Sequence, residues 1–325
     1  MIADRPIVIA HRGASGYLPE HCLAGKAMAH AMGADYLEQD LVLSRDGVPV
    51  VLHDVRLEPV TDVARRFPAR ARADGHWYAV DFDLAELRTL RVRERIDPAT
   101  GLALYPGRFP LDLERSGAPF GLHTLDEELS LIRGLNRSTG REVGIYPELK
   151  SPAWHCAQGR DIVAAVLPVL ERHGYLRAGE PIFLQCFEPE TLLGLHRQLG
   201  RATPLIQLIG EPHWWPEPPP ADFARMRTPA GLIDIAAYAA GIGPWIGRIL
   251  PGPDPADRSR TQGLVPRAQA LGLLVHPYTL RRDALPAGFG TFEDLLRTCV
   301  DELGVDGLFT DFPDLVVRYL GSARR

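Results

Sequence analysis

Cysteine is scarce and scattered: Cys22, Cys156, Cys186 and Cys299 are the only four in the chain, 134, 30 and 113 residues apart. No pair has the short spacing of a zinc knuckle or a redox motif. A chain of 325 residues also buries enough core to do without disulfide staples, so free thiols are expected. Long apolar runs are missing too. Nothing approaches the roughly 18 unbroken apolar residues of a transmembrane helix, so stable membrane insertion is excluded. Met1 to Pro6 passes straight into Ile7–Ala10 without the basic stretch and apolar segment of a secretory signal. The expected compartment is therefore cytoplasmic if this is the whole native product, and periplasmic or secreted if a signal peptide was removed. Positive charge is not in excess: 36 Lys and Arg against 41 Asp and Glu leave a net charge of −5. A mildly acidic surface has no general attraction for nucleic acid or anionic membrane. An anionic small-molecule substrate would need a local basic or metal-containing site.

What is present is ordinary globular composition, 46% hydrophobic and 24% charged, with short apolar runs recurring between longer helix-like stretches. Strands are expected at Ile7–His11, Tyr36–Asp40, Pro49–His53, Gly144–Glu148, Ile182–Cys186, Leu205–Ile209, Ala240–Gly243, Leu273–His276 and Asp306–Thr310. Helices alternate with them, several opening on a cap such as Thr124 with Glu127 or Thr291 with Asp294. This alternation argues for a parallel α/β architecture. Nine strands are one too many for a (β/α)8 TIM barrel. Asp40 to Pro49 is too short for a crossover helix, however, and Asp46-Gly47 is a hairpin signal, so Pro49–His53 should fold back antiparallel. A single barrel domain over residues 1–325 is the expected fold, with an open doubly wound sheet as the alternative. Helix signals are weakest between Ala240 and Leu273, where Pro, Gly and Arg dominate residues 244–263. Residues 55–122 have no clear period and read as an inserted subregion at the catalytic face. Residues 211–222, carrying Trp214-Trp215 and three consecutive prolines, read as a second insertion that can be neither helix nor central strand. Both are candidate substrate walls, with Trp154.

Reactive residues gather at the strand ends. Glu38 and Asp40 are two apart on one strand and point the same way, and Glu148 ends the next barrel strand. Such carboxylates repel unless a positive group compensates, and a hard divalent cation with oxygen ligands does so; a flexible, water-completed shell favours Ca²⁺, with Mg²⁺ as the alternative. With Arg45 and Asp46 as the central turn residues, facing positions sum to about 91 and His53 falls opposite Glu38. His11 arrives from the first strand. Two histidines beside a cation site suit acid–base chemistry on a phosphoester, and Arg12 and Lys150 suit its non-bridging oxygens. Gln185, His276 and Tyr278 are expected on the rim as substrate contacts, with Glu20, His21 and Asp311 behind them.

These residues fall in ordered motifs: His11-Arg12-Gly13-Ala14, Pro19-Glu20, Glu38-Gln39-Asp40, Val50 to Asp54, Glu148-Leu149-Lys150 and Thr310-Asp311-Phe312-Pro313. From about residue 7 to 320 the set resembles the glycerophosphodiester phosphodiesterases, especially their calcium-dependent periplasmic bacterial type. The resemblance implies a phosphodiesterase barrel that cleaves glycerophosphodiesters, such as glycerophosphocholine or glycerophosphoethanolamine, to sn-glycerol 3-phosphate and an alcohol. It also implies Glu38, Asp40 and Glu148 as metal ligands, His11 and His53 as the acid–base pair, Arg12 on the phosphate and Lys150 near the metal or substrate. His21 stands where many relatives have Asn, Cys22 where Thr is usual, and His276-Pro277-Tyr278 where many have a Trp-containing strand end. Two other readings are weighed: a phospholipase C- or D-like enzyme on intact lipid, and a non-catalytic calcium- or phosphoester-binding protein.

Overall fold

The computed structural model describes residues 5–97, 100–105, 107–109, 120–215, 219–250 and 263–322. Among these residues nine strands form one sheet: β1 (Ile7–Ala10), β2 (Tyr36–Leu43), β3 (Pro49–Val51), β4 (Gly144–Leu149), β5 (Leu184–Cys186), β6 (Leu205–Ile209), β7 (Gly241–Pro244), β8 (Leu274–Val275) and β9 (Gly307–Thr310). All pairings are parallel except β2–β3, in the order β8-β7-β6-β5-β4-β2-β1-β9. The segment following β8 closes the circle onto β9 through Asp306 N–H to Val275 O, Phe309 N–H to Pro277 O and Leu280 N–H to Phe309 O. With the hairpin strand set aside, eight strands make a parallel, nearly closed barrel.

Helices α1 (Leu23–Ala31), α2 (Leu125–Thr139), α3 (Ile162–Arg172), α4 (Pro189–Leu199), α5 (Pro229–Ala236), α6 (Leu264–Ala270), α7 (Phe292–Arg297) and α8 (Pro313–Ser322) surround it. Thr124 opens α2 by accepting from Glu127 N–H at 3.2 Å, and Glu127 returns a bond to Thr124 N–H at 2.8 Å. Thr291 caps α7 by accepting from Asp294 N–H at 3.1 Å. Strand periodicity divides the core in two. Ile9, Tyr146, Phe183, Ile206 and Phe309 fill the barrel lumen, while their neighbours Val8, Ala10, Ile145, Leu184, Leu205 and Leu308 pack outward against the helices.

The hairpin register differs from expectation. Leu41 faces Val51, Val42 faces Val50 and Leu43 faces Pro49, so facing positions sum to 92. The turn has three central residues, Arg45, Asp46 and Gly47, because Gly47 takes up φ +79 and Ser44 and Val48 close the ladder. The strand ends at Val51, with one further bond from Leu52 N–H to Asp40 O at 2.9 Å, so His53 lies beyond the strand and in this register falls level with Gln39, not opposite Glu38.

The described part of the insertion folds onto this hairpin. Leu57, Val60, Val63, Ala79, Phe82, Leu87, Leu90, Val92 and Leu122 form a small core with Val42 of β2 and Val50 and Leu52 of the hairpin. Pro106, Pro110 and 111–119 of this insertion, 216–218 of the second one, and 251–262 of the helix-poor stretch lie outside the described residues. Among the described residues of the second insertion, a short 3-10 turn, Pro212–Trp214, interrupts the irregular chain where no helix was expected.

Candidate active site

β1 ends at Ala10 and hands His11 and Arg12 to the mouth of the barrel. Arg12 sits at φ +55, a left-handed backbone that costs a residue with a side chain about 1–2 kcal/mol. Gly13 follows at φ +86, where a Cβ would come within 3.0 Å of the Gly25 backbone. The tight turn aims Arg12 N–H at Glu38 Oε2, 2.8 Å away.

Glu38 and Asp40 lie on one face of β2, and Glu148 stands beside Asp40 across the β2–β4 ladder. One carboxylate oxygen from each comes within 4.8 Å of the others, and all three side chains are buried. Burial raises the Glu148 carboxyl well above its ordinary range even though Lys150 Nζ is 2.7 Å away. Glu38 also moves up, from burial and the nearby Asp40 charge. Burial opposes the Asp40 carboxylate too, yet Lys150, His53 and His21 together hold it well below the usual range. Asp40 Oδ1 and Gln185 Oε1 are buried without a hydrogen-bond partner. Crowded, desolvated carboxylates with an unpaired oxygen are the donor set of a hard cation, so the residues fit a Ca²⁺- or Mg²⁺-like ion.

Around this cluster each histidine is backed by a carboxylate. His11 Nδ1 meets Asp311 Oδ1 at 2.6 Å, and its Nε2 faces Glu38 Oε2 at 3.9 Å. His53 Nδ1 meets Asp54 Oδ1 at 3.0 Å. Burial, with Arg12 and Lys150 near, lowers His53 to about 4 and keeps the ring neutral at neutral pH. Arg12 is held by Glu20 at 2.9 Å, and its Nε lies 3.7 Å from Asp40 with no hydrogen-bond partner. His21, also left-handed at φ +56, binds Asp40 Oδ2 through Nε2 at 2.7 Å.

Residues 11–315 match the profile of the Glycerophosphoryl diester phosphodiesterase family. A glycerophosphodiester phosphodiesterase of Haemophilus influenzae is 39% identical over 97% of this chain and 89% of its own. One from Treponema pallidum is 35% identical over 99% of this chain and 94% of its own. The chain belongs to this family. Among solved structures, a candidate glycerophosphoryl diester phosphodiesterase from Silicibacter pomeroyi superposes with a TM-score of 0.70 at 27% identity, covering 98% of this chain and 95% of that one. An Oleispira antarctica phosphodiesterase, solved with the product sn-glycerol-3-phosphate, shares the fold with a TM-score of 0.63 at 21% identity, over 98% and 97% of the two chains. Like its family, the chain is an enzyme that hydrolyses glycerophosphodiesters.

Two expected rim residues, Gln185 and His276, are more deeply buried than expected. Gln185 donates to Glu38 Oε1 at 3.1 Å and is 1% exposed, so it braces a carboxylate of the cluster. His276 is drawn into the lumen, 1% exposed, with Nδ1 2.8 Å from Tyr146 Oη and its ring set edge-on against the stacked Phe183 and Tyr146; burial lowers it to about 3. Its place at the end of a very short strand set it on the rim in sequence, but the register against β9 sinks it a layer. Tyr278 bonds Ile209 O at 3.1 Å and stands between Phe187 and Trp214. Trp215 packs on Phe187 and Phe223, Trp214 is 42% exposed, and Trp154 stacks on Tyr78 of the insertion.

Asp54, Arg95, Tyr105 and Arg281 also reach the mouth, although none was expected there from its position at a strand end. Arg281 Nε stands 3.3 Å from Asp311 Oδ2 and its guanidinium donates to Tyr105 Oη at 3.0 Å. Asp54 was visible beside His53; the others lie in aperiodic segments that carry no strand signal.

Proposed function

We propose that the enzyme cleaves sn-glycerol-3-phosphodiesters such as glycerophosphocholine and glycerophosphoethanolamine to sn-glycerol 3-phosphate and an alcohol, with Ca²⁺ as its resident cation. The whole chain acts as one barrel domain with an insertion at about 55–122. Glu38, Asp40 and Glu148 would hold the ion; when bound it would neutralise phosphate charge and orient the attacking oxygen. Arg12 presents its unpartnered Nε to a non-bridging phosphate oxygen, and Lys150 adds a point charge on the β4 side. His11 and His53 carry the protons: one takes a proton from the attacking oxygen and the other gives one to the departing alcohol oxygen. Asp311 and Asp54 occupy their Nδ1 atoms, which leaves Nε2 of each for the reaction. Glu20 and His21 steady Arg12 and Asp40. Gln185 and Tyr278 line the site, and the lumenal His276 supports it from beneath.

The observation that carries this reading is the paired arrangement: two histidines, each with its own carboxylate, flank one buried acidic cluster. A binding protein needs the cluster but has no use for the pair. Glycerophosphocholine and intact phosphatidylcholine should be assayed side by side, with and without chelator. Calcium-restored hydrolysis of the soluble diester alone is expected. Equal or faster cleavage of the intact lipid, or turnover indifferent to chelator, would overturn it.

A further inference from the structure

The phosphate side and the proton-transfer side of the mouth are joined by one side chain that the barrel does not supply. Arg95 comes from the insertion. Its Nε and one Nη hold Glu20 in a fork, at 2.7 and 2.6 Å, and its other Nη makes an ion pair with Asp54 Oδ2 at 2.7 Å. Glu20 in turn holds Arg12, and Asp54 holds His53. The guanidinium is 19% exposed, between carboxylates exposed by 9% and 24%, so its contacts are only weakly screened.

We propose that Arg95 is a positioning residue that sets Arg12 against the phosphate and His53 against the transferred proton at once. The inference rests on the roles given above to Arg12 and His53.

Charge balance and geometry both support it. Arg12, Lys150 and His53 crowd the same wall, and Glu20 and Asp54 are the carboxylates there that the acidic cluster does not use. Arg95 fixes both in place while adding a third cation, so neither can swing inward to compete for the ion or to cap Arg12 Nε. That Nε stays buried and unpartnered beside Asp40 because Glu20 takes the Arg12 Nη and is itself gripped from behind. On the other branch, Asp54 has one oxygen on Arg95 and one on His53, which fixes the plane in which His53 turns. A lysine could satisfy one of these carboxylates but cannot make a fork and a third contact in another direction.

The test is a kinetic cycle in the full chain with calcium present, using glycerophosphocholine. Arg95→Met should lower kcat and raise KM, each by about 10- to 100-fold, the scale of a small misplacement of reacting groups. Arg95→Lys should restore thermal stability without restoring kcat, and it serves as the folded variant if Arg95→Met does not fold. Combined with Asp54→Asn, the Arg95 substitution should lose most of its effect on kcat. Combined with Glu20→Gln, it should lose most of its effect on KM. Calcium affinity should stay within about threefold throughout. Arg95→Lys kinetics within about twofold of the unaltered enzyme would overturn the proposal, as would effects that simply add in both double variants. His53→Ala is measured alongside: if that variant folds and turns over normally, the reading of the site fails, whereas an impaired His53→Ala with additive Arg95 effects rejects Arg95 alone.

Discussion

At the barrel mouth a histidine presents one useful nitrogen because a carboxylate holds the other, Asp311 for His11 and Asp54 for His53. Replacing either histidine by Ala should lower kcat by roughly 10²–10⁴ while calcium affinity and melting temperature stay near those of the unaltered enzyme. A substrate with p-nitrophenolate as leaving group separates the two roles, since a departing oxygen that is already a weak base needs little acid. The acid variant should recover on it and the base variant should not. Turnover within about threefold for either folded variant would remove that histidine from proton transfer. Residues of this kind were legible in sequence because period-two spacing places Glu38 with Asp40 and Glu148 with Lys150 on shared faces. His276 was read only from its place at a strand end and was misplaced, because its depth depends on the register between the β8 segment and the chain entering β9, which no local pattern records.

Behind β2, an ion cluster steadies the strand that carries two of the three acidic residues. Lys26 of α1, fully buried, donates to the Glu38 carbonyl and pairs with Glu128 of α2 at 2.8 Å. Gln39 and His123 fill the remaining Glu128 contacts at 2.9 and 2.7 Å. Burial works against the Glu128 charge, but Lys26 and His123 overcome it and bring the carboxyl down to about 2 from 4.5. Its folded value lies below its unfolded one, so the stability it contributes is complete above about pH 4.5 and is lost as pH falls towards 2. The contribution is about 3 kcal/mol. Glu128→Gln should cost roughly 3–5 kcal/mol by stranding the buried Lys26, and the apolar pair Lys26→Met with Glu128→Leu should regain most of it. Denaturant melts from pH 7 to 2.5 check both points: the apolar pair should also show a shallower acid loss than the parent. Equal acid slopes would mean that Glu128 is not held ionised. At this scale the strands and helices could be read from apolar period and caps. The hairpin register could not, because Asp-Gly serves two-residue and three-residue turns alike and only the Gly47 backbone decides between them.

Across the whole molecule the mouth is divided. Arg12, Arg95 and Arg281 gather where β1, β9 and the insertion meet, and Phe187, Tyr278, Trp214 and Trp215 gather after β5, β6 and β8. No helix among the described residues is long and apolar enough to cross a membrane. The insertion, which had no period to read, proves to be tied into the site through Arg95, Tyr105 and Arg108; the last reaches the Ser15 and Leu18 carbonyls at 3.1 and 3.2 Å. Its contribution was invisible in sequence because it rests on single long side chains rather than on a repeating face. Both sides of the mouth nevertheless converge on the acidic cluster, and the proposed chemistry depends on the ion it would hold. The most direct measurement is calorimetric titration of Ca²⁺ into metal-stripped protein, repeated with Glu38→Gln and Asp40→Asn. One site is expected in the parent. Each variant should bind at least about 10- to 100-fold more weakly, since loss of a ligand must cost no less than loss of a residue that merely supports one. Unchanged calcium affinity in both folded variants would mean that Glu38 and Asp40 do not hold the ion.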